Sequence, residues 1–314
     1  MTATGQSTTP SFFNFLKQGL LLPSHNRRLF AAVFSIIVAS TCHLVVKRVA
    51  VQPLMDEIVL DAKALNSTDP SSPDFFHLIL DIRDDTRALL LTGTAYLLFA
   101  VTIVSAIRLV VQFAAVATYS GELHTFGSLL GKVRTQLKGP VLTLAFVYAL
   151  EIAYFALVVA MFALLIFLPI KDYFGLFCAV WLLLHVAFIF PVYSFLCSMS
   201  VVVAVAEPGC HGAGALWQAW RLMKGKRRQA VLLIFVTSLL AAALLRVHAL
   251  AKTCALTDKA SGLLLGFLYV ILMSAVQLFE VCAKAAFYYE CKGSTEASAA
   301  EYLMVSTKEQ FVAA

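Results

Sequence analysis

The apolar residues of this chain do not alternate, nor do they form narrow stripes; they run on. Six stretches carry almost no charge, at roughly 29–46, 88–113, 140–168, 174–205, 230–250 and 262–289. Apolar runs of about 18 residues or more, wound as helices, match the hydrocarbon thickness of a bilayer. The pattern predicts an all-α, polytopic membrane protein with six transmembrane helices. It predicts a membrane domain over residues 29–289, a short N-terminal segment at 1–28 and a C-terminal tail at 290–314. Pro191 lies inside the fourth run. Its ring removes a backbone donor and clashes with the preceding turn, so a kink is expected near Phe190, with the freed carbonyl satisfied by neighbouring helices.

Between the runs the period changes. In Ser11–Leu22, Phe12, Phe15, Leu16 and Gly19 recur at helical spacing, with Asn14, Lys17 and Gln18 elsewhere around the helix. Thr118–Lys138 repeats Leu123, Phe126, Leu129, Leu130 and Val133 at threes and fours, and Ala213–Arg228 adds Trp217 and Trp220. These segments predict three amphipathic elbow helices in the cytosolic interface. Lys138-Gly139 and Lys224-Gly225 can be laid over one another, which suggests a weak internal repeat of span, elbow, span. The connection at 47–87 is acidic, with Asp56, Glu57, Asp61, Asp69, Asp74, Asp81, Asp84 and Asp85 around the turn formers of Asn66–Pro73. Two short helices flanking a turn are expected there. The ligand spacing of a calcium loop is missing, so the acids read as a solvated face.

Composition sharpens this picture. The 314 residues are 61% hydrophobic and 13% charged, with a mean hydropathy of +0.85, which excludes a water-soluble globule. The net charge is +6, but a third of the basic residues sit next to apolar runs, where positive charge serves topology, so nucleic acid is not an expected partner; the bilayer is, with anionic lipids as candidate ligands. Fifteen Lys and Arg fall on the side of the N-terminus and nine on the other. The positive-inside rule then puts both termini in the cytosol of an endoplasmic reticulum, other endomembrane or plasma-membrane protein. The sequon at Asn66 falls on the outer side and reads as a glycosylation acceptor or as a chance tripeptide. Seven cysteines show neither C-x-x-C pairs nor metal-type spacing, so no disulfide framework, metal or cofactor is expected. The polar N-terminus does not read as a removable signal peptide.

Ionisable residues inside apolar runs are the default candidates for function, because a charge at the bilayer centre is costly. They are Glu151, His185, Glu280 and Lys284. Glu280 and Lys284 stand four apart in the favourable order and read as a self-neutralising pair. Glu151 has no partner in its own helix. It could pair with Lys284 or Arg108, accept from a residue such as Tyr154, or stay protonated in a wet cavity. The cluster Arg221, Lys224, Lys226, Arg227 and Arg228 reads either as a headgroup site or as a purely topogenic charge block. Cys291, just past the last run, reads as an S-acylation site or as an unmodified interfacial thiol. Gly127-x-x-x-Gly131 and Gly262-x-x-x-Gly266 match a small-residue packing motif, and only the second lies in a span, where it reads as helix packing. No nucleophile elbow, zinc helix or Walker loop occurs, so no catalytic residue is assigned and an enzyme is not expected.

Ala117-Thr-Tyr-Ser-Gly121, Lys138-Gly-Pro-Val-Leu-Thr143, Lys224-Gly-Lys-Arg-Arg228 and Phe287-Tyr-Tyr-Glu-Cys-Lys292 resemble a family of plant six-span membrane proteins of unknown function. That family is distantly similar to the membrane domain, not the catalytic part, of some bacterial glycerophosphodiester phosphodiesterases. The resemblance covers nearly the whole chain and implies a fold and a plant origin rather than a reaction. Glu207-Pro-Gly-Cys-His-Gly212 departs from the family's pattern after the fourth span. The expected role is therefore a non-enzymatic, interacting or membrane-organising component; the alternative is a transporter or channel for a small solute.

Overall fold

The computed structural model describes residues 13–67, 73–122, 124–167 and 173–312, and all its regular elements are helices. In chain order they are α1 (Asn14–His25), α2 (Arg27–Ser67), α3 (Pro73–Tyr119), α4 (Phe126–Gln136), α5 (Lys138–Phe167), α6 (Tyr173–Leu184), a π turn (His185–Ile189), α7 (Phe190–Ala206), α8 (Ala213–Gly225), α9 (Arg227–Thr257) and α10 (Lys259–Val312). Six helical stretches among the described residues are long and apolar enough to cross a membrane, and each overlaps one of the six apolar runs, the fourth made of α6, the π turn and α7.

The long helices extend well past those runs. The acidic connection does not form two separate short helices: its first part continues α2 to Ser67, and its last part opens α3 at Pro73. Likewise α10 continues to Val312, so residues 290–312 carry the helix beyond the apolar run. Polar residues do not stop a helix that has already nucleated.

The chain divides into two compact units. Residues Phe34–Arg108 form one, in which His43 and Phe99 meet edge to face at 6.2 Å. The other comprises Met1–Val33 and Leu109–Ala314. At its centre is α7, where no residue from Cys197 to Val205 is more than 6% exposed. A helix buried on every side is the middle of a bundle. Leu109, Leu144 and Val147 pack against its Cys197 and Val201.

The disturbance expected near Phe190 takes a particular form. The five residues before it, His185–Ile189, wind as a π turn, and Pro191 then sits in the first turn of α7. An extra residue per turn moves the carbonyl that proline's ring would otherwise strike, so the helix accommodates Pro191 by widening.

Three short helices stand where the elbows are predicted, and each joins its long helix through one residue: Asn26 after α1, Leu137 after α4, Lys226 after α8. Asn26 accepts a hydrogen bond from the Leu29 amide at 3.4 Å and so caps α2. Thr125 caps α4 by accepting from the Ser128 amide. Short helix, long helix, long helix thus occurs three times. The Lys-Gly overlay is out of register with this repeat: Lys138 is the first residue of α5, whereas Lys224 lies inside α8. The two glycines also differ, since Gly139 faces the His211 ring while Gly225 faces open space. Of the Gly262-x-x-x-Gly266 pair, only Gly262 is a packing position; a Cβ there would meet Ala255 at 2.4 Å, and Gly266 is open.

Candidate functional site

Helix α1 and the α8–α9 hinge both meet α10 around Ala283–Lys292, and side chains explain why. The buried stripe of α1, namely Phe15, Gly19 and Leu22, faces α10. Phe15 meets the Phe287 ring edge to face at 5.8 Å. Gly19 lies so close that a Cβ would sit 2.7 Å from the Ala283 Cα. Helix α1 therefore rests on protein along this stripe, while Phe13, Leu20 and Leu21 on its other side are exposed. Leu123, predicted for the second such stripe, and Phe12 lie outside the described residues. In α4 the buried residues are Leu129 and Val133, with Leu130 exposed.

Polar contacts complete the convergence. Tyr289 stacks on Tyr119, and the Tyr119 hydroxyl donates to Gln18 Oε1 at 2.7 Å. The Tyr288 hydroxyl donates to Glu207 Oε1 at 2.6 Å, and Lys292 Nζ stands 3.3 Å from the same oxygen. Glu290 Oε1 accepts from Lys226 Nζ at 2.8 Å and from Gln229 Nε2 at 3.1 Å. Nearby, the Gly212 amide donates to Thr143 Oγ1 at 2.9 Å. That holds the turn 207–212 on α5, with Gly209 and Gly212 at positive φ. Glu122 clamps the turn before α4 by accepting from Lys132 and lying 2.8 Å from His124 Nε2. The Lys132 hydrogen bond, with the one from His124 behind it, holds the Glu122 carboxyl below the usual carboxylate range.

The basic cluster divides in this geometry. Arg221, Lys224, Arg227 and Arg228 are exposed, whereas Lys226 is half-buried and committed to Glu290. Lys226 is thus withdrawn from any headgroup role by an ion pair that fixes the α8–α9 hinge to α10. Cys291 is corrected as well. It is 1% exposed, because α10 continues past it and turns that face inward, so it is not an accessible juxtamembrane thiol. No disulfide joins any of the seven cysteines among the described residues. Asn66 lies in the last turn of α2, with its side chain and Thr68 outside the described residues.

The intramembrane candidates lie in two places. Lys284, buried, pairs with Glu280, donates to Ser198 Oγ at 2.7 Å and lies 5.7 Å from the Phe195 ring. It is a structural brace between α10 and α7, and so is not the partner of Glu151. Glu151, half-buried, makes no hydrogen bond or ion pair among the described residues. One turn on, Tyr154 stacks on His185 at 6.0 Å, on Phe190 at 5.5 Å and on Tyr193 at 5.1 Å, while Trp181 covers His185 at 5.6 Å. The π turn carries His185 into this aromatic group. Tyr154 Oη and His185 Nδ1 are both buried there without a hydrogen-bond partner.

No group of three metal-ligating side chains is brought together among the described residues. The residues that hold the short helices, Gln18, Tyr119, Glu207, Gln229 and Glu290, were not singled out by sequence reasoning. Of these, Tyr119 and Glu290 lie within the resemblance motifs, while Gln18, Glu207 and Gln229 lie outside them.

With this geometry in place, family membership follows from the sequence match. The chain belongs to the family described as Domain of unknown function (DUF8558), which matches residues 8–305. No curated protein and no solved structure matches the chain.

Proposed function

We propose that the protein is a non-enzymatic, multi-pass membrane component that organises one leaflet of a plant endomembrane or plasma membrane. The observation that carries this reading is the set of three short helices, each joined to a long helix through a single residue. Each buries a stripe inward and exposes apolar residues beside basic ones: Leu20 and Leu21 with Lys17, Leu130 with Arg134, Trp217 and Trp220 with Arg221. Such helices lie in the headgroup layer and displace lipid there, and a one-leaflet wedge favours curvature. The excess of Lys and Arg on this side supports cytosolic placement of the wedges and of both termini.

The experiment is reconstitution of the full chain into vesicles of uniform size. The wedge reading expects narrower vesicles or tubules in cryo-electron micrographs, and reversion when Leu20, Leu21, Leu130 and Trp217 are all replaced by Ser. Unchanged vesicle diameters with the wild-type chain would overturn it. The orientation is tested separately in sealed microsomes. A tag after Ala314 should be digested from outside, and a glycosidase-sensitive mass shift should require Asn66.

A second reading, a solute transporter, rests on one observation: Tyr154 Oη and His185 Nδ1 lack partners beside Glu151, as polar groups lining an ion path would. It expects Glu151→Gln to abolish a measurable proton or cation flux into vesicles without changing protein level. No flux through the wild-type chain would remove it.

A further inference from the structure

The three basic residues nearest the α8–α9 hinge are not equivalent, because a groove opens beside only two of them. Its volume is about 200 Å³, and Val192 of α7, Met223 of α8, and Ala230 and Ile234 of α9 form apolar walls. Trp220 and the side chains of Lys224 and Arg227 complete its lining. Lys226 is held by Glu290, whereas Lys224 and Arg227 are exposed and make no hydrogen bond or ion pair among the described residues. No side chain caps the N-terminus of α9, which begins at Arg227. Arg221 and Arg228, equally exposed, do not line the groove.

We infer that this groove is a discrete binding site for an anionic glycerophospholipid. One acyl chain lies along Val192, Met223, Ala230 and Ile234, and the phosphate and acidic headgroup are held by Lys224 and Arg227. Three features point to this occupant over any other. The groove has apolar walls and two cationic residues in its lining, which is the complement of an acidic amphiphile. Trp220 supplies an indole of the kind that settles at headgroup depth. The groove also opens between a short helix and a spanning helix, where the acyl and headgroup layers meet in the orientation proposed above. The inference does not depend on leaflet bending, since a lipid can occupy the groove of a protein that leaves vesicle shape unchanged.

The test uses the full chain in neutral detergent, with Trp181 and Trp217 replaced by Phe so that Trp220 reports alone. Phosphatidylserine or phosphatidylcholine brominated along the acyl chain is titrated in, and quenching of Trp220 is read. Two charges near a surface, at about 1 kcal/mol each, correspond to a preference of roughly 30-fold for the anionic lipid. The expected result is that preference in the parent, its loss in K224Q/R227Q, and its retention in R221Q/R228Q, which removes the same charge. Equal quenching by both lipids, or equal loss in both double variants, would overturn the site and leave only a diffuse field. Native mass spectrometry of the unsubstituted chain gives an independent reading. One retained phosphatidylserine per protein is expected under conditions that strip phosphatidylcholine, and equal stripping of both would count against the site.

Discussion

Tyr119, at the end of α3, and Tyr289, in α10, stack with ring centroids 4.6 Å apart and planes 7° from parallel. The pair joins residues distant in sequence, and the Tyr119 hydroxyl extends the link to Gln18 on α1. The stack and the hydrogen bond can be separated experimentally. Tyr119→Phe keeps the ring and should cost about 0.5–1.5 kcal/mol. Tyr119→Ala removes both and should cost about 3 kcal/mol or more. Thermal unfolding in detergent decides it; equal costs for the two variants would mean that the stack contributes nothing.

Gly19 predicts a steric effect without any change of chemistry. A methyl group there would lie 2.7 Å from a backbone atom of Ala283, which cannot move aside as a side-chain tip can. Gly19→Ala should destabilise by about 1–3 kcal/mol and raise deuterium uptake across α1. Gly225→Ala, in open space, should leave uptake unchanged.

The inward ion pair of Lys226 makes it the one member of its cluster whose loss affects folding. Lys226→Gln should cost about 2 kcal/mol, as should Glu290→Gln, and the double variant should cost less than the two added together. Arg221→Gln and Arg228→Gln should leave the melting temperature in place. A double-mutant cycle with no coupling would contradict the pairing.

Asp258 is the single residue between α9 and α10, and its carboxylate accepts from the Ala260 and Ser261 amides and the Ser261 hydroxyl. The Ser261 hydroxyl and then these amides hold its carboxyl below the ordinary carboxylate range. A depressed value means a contribution present above the unfolded-state pKa and lost as the pH falls through the folded-state one. Melting temperature should therefore drop on acidification more steeply for wild type than for Asp258→Asn, while Asp258→Ala melts lower throughout the neutral range. Parallel acid profiles for wild type and Asp258→Asn would rule out this linkage.

Cys291 should stay unmodified. An acyltransferase must reach the thiol, and at 1% exposure it cannot. Acyl-biotin exchange should give the same signal from wild type and Cys291→Ser; a signal lost in the variant would show that α10 opens there.

The spans were legible in sequence because each is a long apolar run, and length alone identifies it. Their ends were less so, since α2, α3 and α10 continue through polar residues, α2 even through Pro53. The short helices were legible from their period, but the protein surface beneath α1 was not, because a stripe of Phe15, Gly19 and Leu22 suits lipid and protein equally. Least legible were Glu207, Glu290 and Lys226. Their roles come from partners at least 60 residues distant, as in the Lys226–Glu290 bond across 64 positions, and one sequence holds no record of such pairs. The π turn was invisible for a related reason: a helix with one residue too many has no period to recognise.

The seat of α1 on α10 has a consequence for the order in which the molecule is made. Gly19 and Ala283 touch, yet the ribosome delivers them roughly 260 residues apart, an interval of tens of seconds at about 5–20 residues per second. Throughout that interval the nascent chain carries its first amphipathic helix without the surface that will receive it. Closure of the bundle is therefore a post-synthetic event, timed by the last span, and a chain truncated before Ala283 would leave its beginning unfinished as well as its end.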